Sequence, residues 1–158
     1  MPNGNNDITP NTLFHANCVD VIERIEDQII DLVYLDPPQG ALEANKAHRI
    51  GIQTNEQRDD LLELISCVCQ HAYRVLKPSG VLFFHTEPSA EFSVRLILNQ
   101  VFSESNFRNA IVWQHRRKSH GSHDVIVHYG KSKEAINNKV FRLFMGSEIR
   151  CQFTKSDS

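Results

Sequence analysis

The stretch Asp31-Leu32-Val33-Tyr34-Leu35-Asp36-Pro37-Pro38-Gln39-Gly40 decides how the chain is read. From Ile29 to Leu35 the only charge is Asp31, the pattern of a strand covered on both faces in a parallel sheet. Pro37 and Pro38 have no amide hydrogen to give to a ladder, so the strand ends at Asp36. A carboxylate is thereby placed at the carboxyl end of a strand, where open α/β sheets hold their ligands. Taken alone, Asp-Pro-Pro is also an ordinary turn after a core strand, and only its surroundings separate the two readings.

Upstream, residues 1–11 are polar and rich in Asn, Gly and Pro and read as a loose tail. Thr12 to Ala16 reads as a short strand, and Val19, Ile22 and Ile25 mark a short helix. Downstream, Gly40 to Gln57 is polar without sustained periodicity and reads as a loop over the site. The clearest helix spans Asp59 to Leu76, with Leu61, Leu62, Ile65, Val68, Ala72 and Val75 on one face. Lys77-Pro78-Ser79-Gly80 ends it, and Val81 to His85 is the next buried strand. Ser89 is the expected N-cap of a further helix whose apolar side is Phe92, Leu96, Ile97 and Val101. Ala110–Trp113 and Val125–Tyr129 read as two strands of a hairpin, Trp113 as core, and Val140–Met145 as a last strand. The alternation predicts an incomplete doubly wound α/β domain.

At 158 residues the chain has room for one sizeable core. No apolar run approaches the roughly 20 residues of a membrane span, and Met1–Asn6 lacks the apolar core of a signal peptide, so a cytoplasmic protein is expected. Cys18, Cys67, Cys69 and Cys151 show no C-x-x-C spacing and read as reduced thiols. A net charge of −2 makes no general case for nucleic acid, so any such case rests on local clustering. Arg108, Arg116, Arg117 and Lys118 form such a cluster between Ser105 and His123, a segment without an acid. His115, His120 and His123 have no Cys or carboxylate cluster at ligand spacing, so no metal is expected. Gly130-Lys131-Ser132 lacks the leading glycine of a phosphate loop, since position 125 is Val.

Three blocks in order carry a resemblance: Leu13 to Cys18, Asp36-Pro37-Pro38, and Arg74 to His85 with its Leu-Lys-Pro-Ser-Gly. Together they resemble the amino-methylating DNA methyltransferases, which act on adenine N6 or cytosine N4, use S-adenosylmethionine and include restriction-modification enzymes. The likeness runs from about Thr12 to Lys133 and is to members whose catalytic block precedes the cofactor glycine loop. It implies a Rossmann-like fold, incomplete here, with a mostly parallel sheet and flanking helices, in a partial N-4/N-6 methylase domain over 12–158. The resemblance casts Asp36 and the Pro37 carbonyl as acceptors for the two hydrogens of an exocyclic amine, which frees its lone pair for attack. Pro38 helps hold that carbonyl, and position 39 faces the flipped base. Asn17 and Cys18 fall where the family contacts the cofactor, and Arg108, Arg116, Arg117 and Lys118 where it contacts DNA. Asp before Pro-Pro favours adenine N6. Cytosine C5 chemistry is excluded, because no cysteine follows a proline.

The chain departs from the family pattern in three places. Gln39 stands where the family has an aromatic residue, and Asn17 where it has Asp; a turn Asn is an equal reading of that position. No two of the seven glycines are separated by a single residue, so the Gly-x-Gly loop for the donor's methionine end is absent. That loop is expected after the last residue given, or from a partner chain. The resemblance therefore implies DNA amino-methylation that is weak or absent in this chain alone. The other readings are a non-catalytic remnant or DNA-binding subunit, and a small α/β module with an unrelated ligand.

Overall fold

In the computed structural model the described residues are 8, 10–37, 55–114, 123–135 and 148–152. The elements in chain order are helix α1 (Cys18–Glu23), strand β1 (Ile30–Asp36), helix α2 (Asn55–Val75), strand β2 (Leu76–Thr86) and helix α3 (Glu91–Phe102), then strands β3 (Phe107–Gln114), β4 (His123–Gly130) and β5 (Glu148–Gln152). The five strands form one sheet in the order β3-β4-β2-β1-β5.

β1 lies between two parallel neighbours, β2 and β5. The other half is antiparallel: β4 opposes both β2 and β3, as the anticipated hairpin requires. The sheet is therefore mixed. Because β3 and β2 both oppose β4, strands β1, β2, β3 and β5 all end at the same edge of the sheet.

Side-chain alternation divides the two faces. Val33 and Leu35, Leu82 and Phe84, and Val125, Val127 and Tyr129 point to one face, where they form the core with Ile22, Ile65, Val68, Ala72, Val94, Leu98 and Phe102 of the helices. The second face carries Tyr34 and Asp36, Phe83 and His85, and Asp124, Ile126 and His128. Arg74 ties α2 to α1: its guanidinium donates to the carbonyls of Ile22, Glu23 and Ile25 at the end of α1 and pairs with Asp27. The last carbonyls of a helix have few or no intrahelical donors, and Arg74 supplies them here.

Several local expectations change. Thr12 to Ala16 does not form a strand, and Ile8, expected in a loose tail, packs against the core. Lys77 to Gly80 is not a turn between elements but a bulge within β2. Ile30 pairs with Leu76 and Leu32 with Val81, so five residues of β2 advance against two of β1. A bulge is where a strand tolerates a proline, here Pro78.

The N-cap position of α3 is Ala90, without a side-chain cap, rather than Ser89. The buried stripe of α3 is Val94, Leu98 and Phe102, while Phe92 and Leu96 are exposed. The helix has apolar residues around most of its girth, so periodicity alone left its rotation open. The strand expected at Val140–Met145 and the loop at 40–54 lie outside the described residues, and the last strand is found at Glu148–Gln152.

The rotation of α3 predicts a sharp contrast. Leu98→Ala should cost about 2–5 kcal/mol, the range for a buried Leu, while Leu96→Ala should stay within about 0.5 kcal/mol. Urea unfolding of the two variants measures it, and equal costs would refute the packing described.

Candidate functional site

Asp36 ends β1, and Pro37 behind it is buried and closes the ladder. The register Leu35↔Phe84 sets Asp36 beside His85, the penultimate residue of β2. Next across the sheet, His85 pairs with Ile126, and Asp124 lies two residues before it on the same face. Three side chains from three adjacent strands meet as a result. His85 Nδ1 lies 3.1 Å from Asp36 Oδ1, and His85 Nε2 lies 3.1 Å from Asp124 Oδ2.

Exposure falls along this row. The Asp36 side chain is 39% exposed, that of His85 14% and that of Asp124 6%. Asp36 thus faces outward at the sheet edge, while Asp124 is sealed behind the imidazole. Tyr34 meets the His85 ring edge-on at 6.4 Å. On the other side of Asp36, β5 runs parallel to β1 with Asp36 in register with Gln152. The carboxyl end of β5 therefore lies beside Asp36. His85 and Asp124 were not among the residues expected to act.

The remaining expected residues are placed as follows. Asn17 is the N-cap of α1, its Oδ1 accepting from the Val19 amide at 2.9 Å, a role that satisfies an orphan helix donor. Cys18 follows as the first residue of α1 and is not in a disulfide. Arg108 is turned into the fold: its Nη2 donates to the Ser132 carbonyl at 2.6 Å, and its buried Nε has no hydrogen-bond partner among the described residues. Trp113 is not core. It is 56% exposed on the edge strand, in register with Asp124. Pro38, Gln39, Arg116, Arg117 and Lys118 lie outside the described residues. Among the described residues no group of His, Cys, Asp and Glu is arranged to hold a metal ion, and no helix is long and apolar enough to cross a membrane.

A family model described as a DNA methylase matches residues 30–155, about four-fifths of the chain. The chain belongs to the N6/N4 DNA methylase family. Solved structures agree on the fold. The PvuII DNA methyltransferase, specific for cytosine N4, superposes with a TM-score of 0.61 at 12% identity, over 95% of this chain and 60% of that one. TTHA0409 of Thermus thermophilus, a protein assigned to the DNA modification methylases and solved with S-adenosyl-L-methionine, superposes with a TM-score of 0.55 at 16% identity, over 74% of this chain and 54% of that one. This methylase-family chain spans about half to three-fifths of the length of those proteins. A search of curated proteins by sequence found no match.

On the same face as the row, His128 stacks on Phe83 with ring centroids 4.4 Å apart, and its Nδ1 lies 3.0 Å from Asn109 Oδ1. Burial first, and then the Arg108 guanidinium, push its pKa down to about 4. The imidazole is neutral in the fold but takes a proton on unfolding below the ordinary value of 6.5. Between pH 6.5 and 4 the unfolded chain binds one more proton, so stability falls as pH falls through that window. The loss should reach about 3 kcal/mol at most. Urea unfolding at pH 7 and pH 4.5 should show this drop, and His128→Gln should flatten it. An unchanged pH dependence in the variant would exclude His128 as the source.

Proposed function

We propose that this chain carries the base-activating half of a DNA amino-methyltransferase, with adenine N6 as its target. The observation that carries the proposal is Asp36, half-exposed at the carboxyl edge of the sheet and followed by a buried Pro37, in a chain of this family. An exocyclic amine is a poor nucleophile because its lone pair is drawn into the ring. Asp36 accepting one N–H and the Pro37 carbonyl accepting the other localise that pair on nitrogen. Pro38 constrains the backbone that aims the carbonyl. Gln39 then offers a hydrogen bond to the base edge where an aromatic side chain would stack, and forgoes about 1–3 kcal/mol of stacking.

S-adenosylmethionine is the proposed methyl donor, and this chain does not complete a cradle for it. The Asn17 side-chain oxygen is engaged with the Val19 amide, and the sequence has no Gly-x-Gly. The edge beside Asp36 belongs to β5, so a segment following the last residue given, or a partner chain, is proposed to supply the cradle. Positioning two reactants can lower a barrier by roughly 7–11 kcal/mol, far more than the stacking lost at Gln39. Little or no methyl transfer is therefore expected from the 158 residues alone. Radiolabelled methyl transfer to DNA rich in adenine, and separately in cytosine, tests this with Asp36→Ala as the control. Robust Asp36-dependent turnover by the purified chain would overturn the need for a completing part, and label in cytosine would overturn the choice of base.

The DNA is proposed to lie over the β3–β4 end of the same edge. The basic segment Arg116, Arg117 and Lys118 follows Gln114, the last residue of β3, next to the exposed Trp113. Arg108 is assigned to anchoring the hairpin on Ser132, since its guanidinium is already engaged there. Converting Arg116, Arg117 and Lys118 to Ala should weaken DNA binding. The salt dependence should become shallower by up to about 3 units, roughly 0.9 per lost phosphate contact. An unchanged slope would remove these residues from the interface.

A further inference from the structure

A lone aspartate at a strand end turns freely about its last side-chain torsion, and a freely turning carboxylate is a poor template for an amine. Asp36 is not alone. Its Oδ1 is 3.1 Å from His85 Nδ1, and the opposite nitrogen of the same ring is 3.1 Å from Asp124 Oδ2. We propose that His85 is the positioning residue for the Asp36 carboxylate, with Asp124 holding the imidazole from behind. The inference rests on the reading of Asp36 as the group that receives the amine.

The geometry supports an oriented device rather than a chance contact. With both nitrogens engaged and the ring enclosed, rotation of the imidazole would break two contacts at once. A hydrogen bond from Nδ1–H to Oδ1 across this 3.1 Å approach would fix the carboxylate plane and leave Oδ2 for the incoming N–H. Proton bookkeeping defines the state further. Two carboxylates facing one ring need two protons to make two hydrogen bonds, either both on the imidazole or one on it and one on a carboxyl group. In either arrangement that serves Asp36, Nδ1 carries a proton.

Isosteres separate positioning from simple filling. The amide nitrogen of Asn is attached at the same carbon as Nδ1, so His85→Asn retains a donor toward Asp36. The amide nitrogen of Gln corresponds to Nε2, so His85→Gln keeps the partner for Asp124 and abandons Asp36. A purely structural role, serving the buried Asp124, predicts the opposite order.

Nitrogen-15 NMR of the labelled full chain tests this without any turnover, the His85 signals being assigned by their loss in His85→Gln. We expect a protonated Nδ1 with a downfield proton that disappears in Asp36→Ala, shifts upfield in Asp36→Asn and persists in Asp124→Asn. A bare Nδ1, or a proton indifferent to Asp36, overturns the proposal. With methyl transfer restored by the completing segment or partner chain, His85→Asn should stay within a few-fold of wild type. His85→Gln should lose on the order of 10²-fold in kcat with KM for DNA unchanged, the scale of a misplaced reacting group. Equal losses in both variants would also overturn it. Failure of the wild-type chain to methylate even with that completing part, with the Nδ1 signal as expected, would count against the proposed function and leave His85 as the partner that sets Asp36.

Discussion

Everything at the site depends on where β1 stops. β1 is hydrogen-bonded on both sides, to β2 and to β5, and its ladder ends where the chain turns to proline. Two-sided pairing fixes its register to single-residue precision, because a slip of one residue would exchange its two faces. Val33 and Leu35 would then leave the core and Asp36 would enter it, an exchange of buried methyl groups for a buried charge. The same constraint that packs the core therefore aims the carboxylate. The βαβ unit formed by β1, α2 and β2 brings the end of β2 alongside, and with it His85.

Much of this was legible in the residues, for physical reasons that can be named. A continuous apolar run ended by prolines can only be a buried strand with a defined end, so Asp36 could be placed without a structure. The α2 stripe was equally plain, since its apolar residues recur on one face and its other face is charged. The rotation of α3 was not, because a helix with Phe92, Leu96 and Ile97 as well as Val94, Leu98 and Phe102 offers two apolar faces. Which one is buried depends on the sheet it meets. The bulge at Lys77–Gly80 was hidden for a similar reason. Pro and Gly in sequence look like the end of an element, and only pairing with β1 reveals that the strand resumes as the same strand.

The site was half legible. His85 ends the buried run Val81–Phe84 in the way Asp36 ends its own, and Asp124 immediately precedes the buried run Val125–Tyr129. A titratable residue at the boundary of an apolar strand was thus a signal available three times, and it was used once. What the sequence lacked was strand order. Nothing in the spacing of residues 36, 85 and 124 says that β4 is inserted next to β2, so the three could not be brought together beforehand. Trp113 shows the converse error. Residue type suggested a core aromatic, whereas the open edge of β3 exposes it.

The row also resists explanation as a stabilising device. On the helix-covered face, Leu35, Phe84 and Val127 are adjacent, fully buried and apolar, which is how this sheet gains stability. One residue further along, the other face carries Asp36, His85 and, diagonally, Asp124. Taking charged groups out of water is costly, and replacing a buried ionic cluster by apolar residues of similar volume is often neutral or stabilising. A fold selected only for stability gains little from sealing a carboxylate, its side chain 6% exposed, behind an imidazole. Local choices that run against stability concentrate where a protein acts. The arrangement is economical if the outermost member, Asp36, must be held in one orientation at a solvent edge, because the two inner members then supply rigidity where solvent would otherwise screen and loosen it. The burial gradient from Asp36 to Asp124 is the order expected for a group that works at the surface and supports that hold it from within.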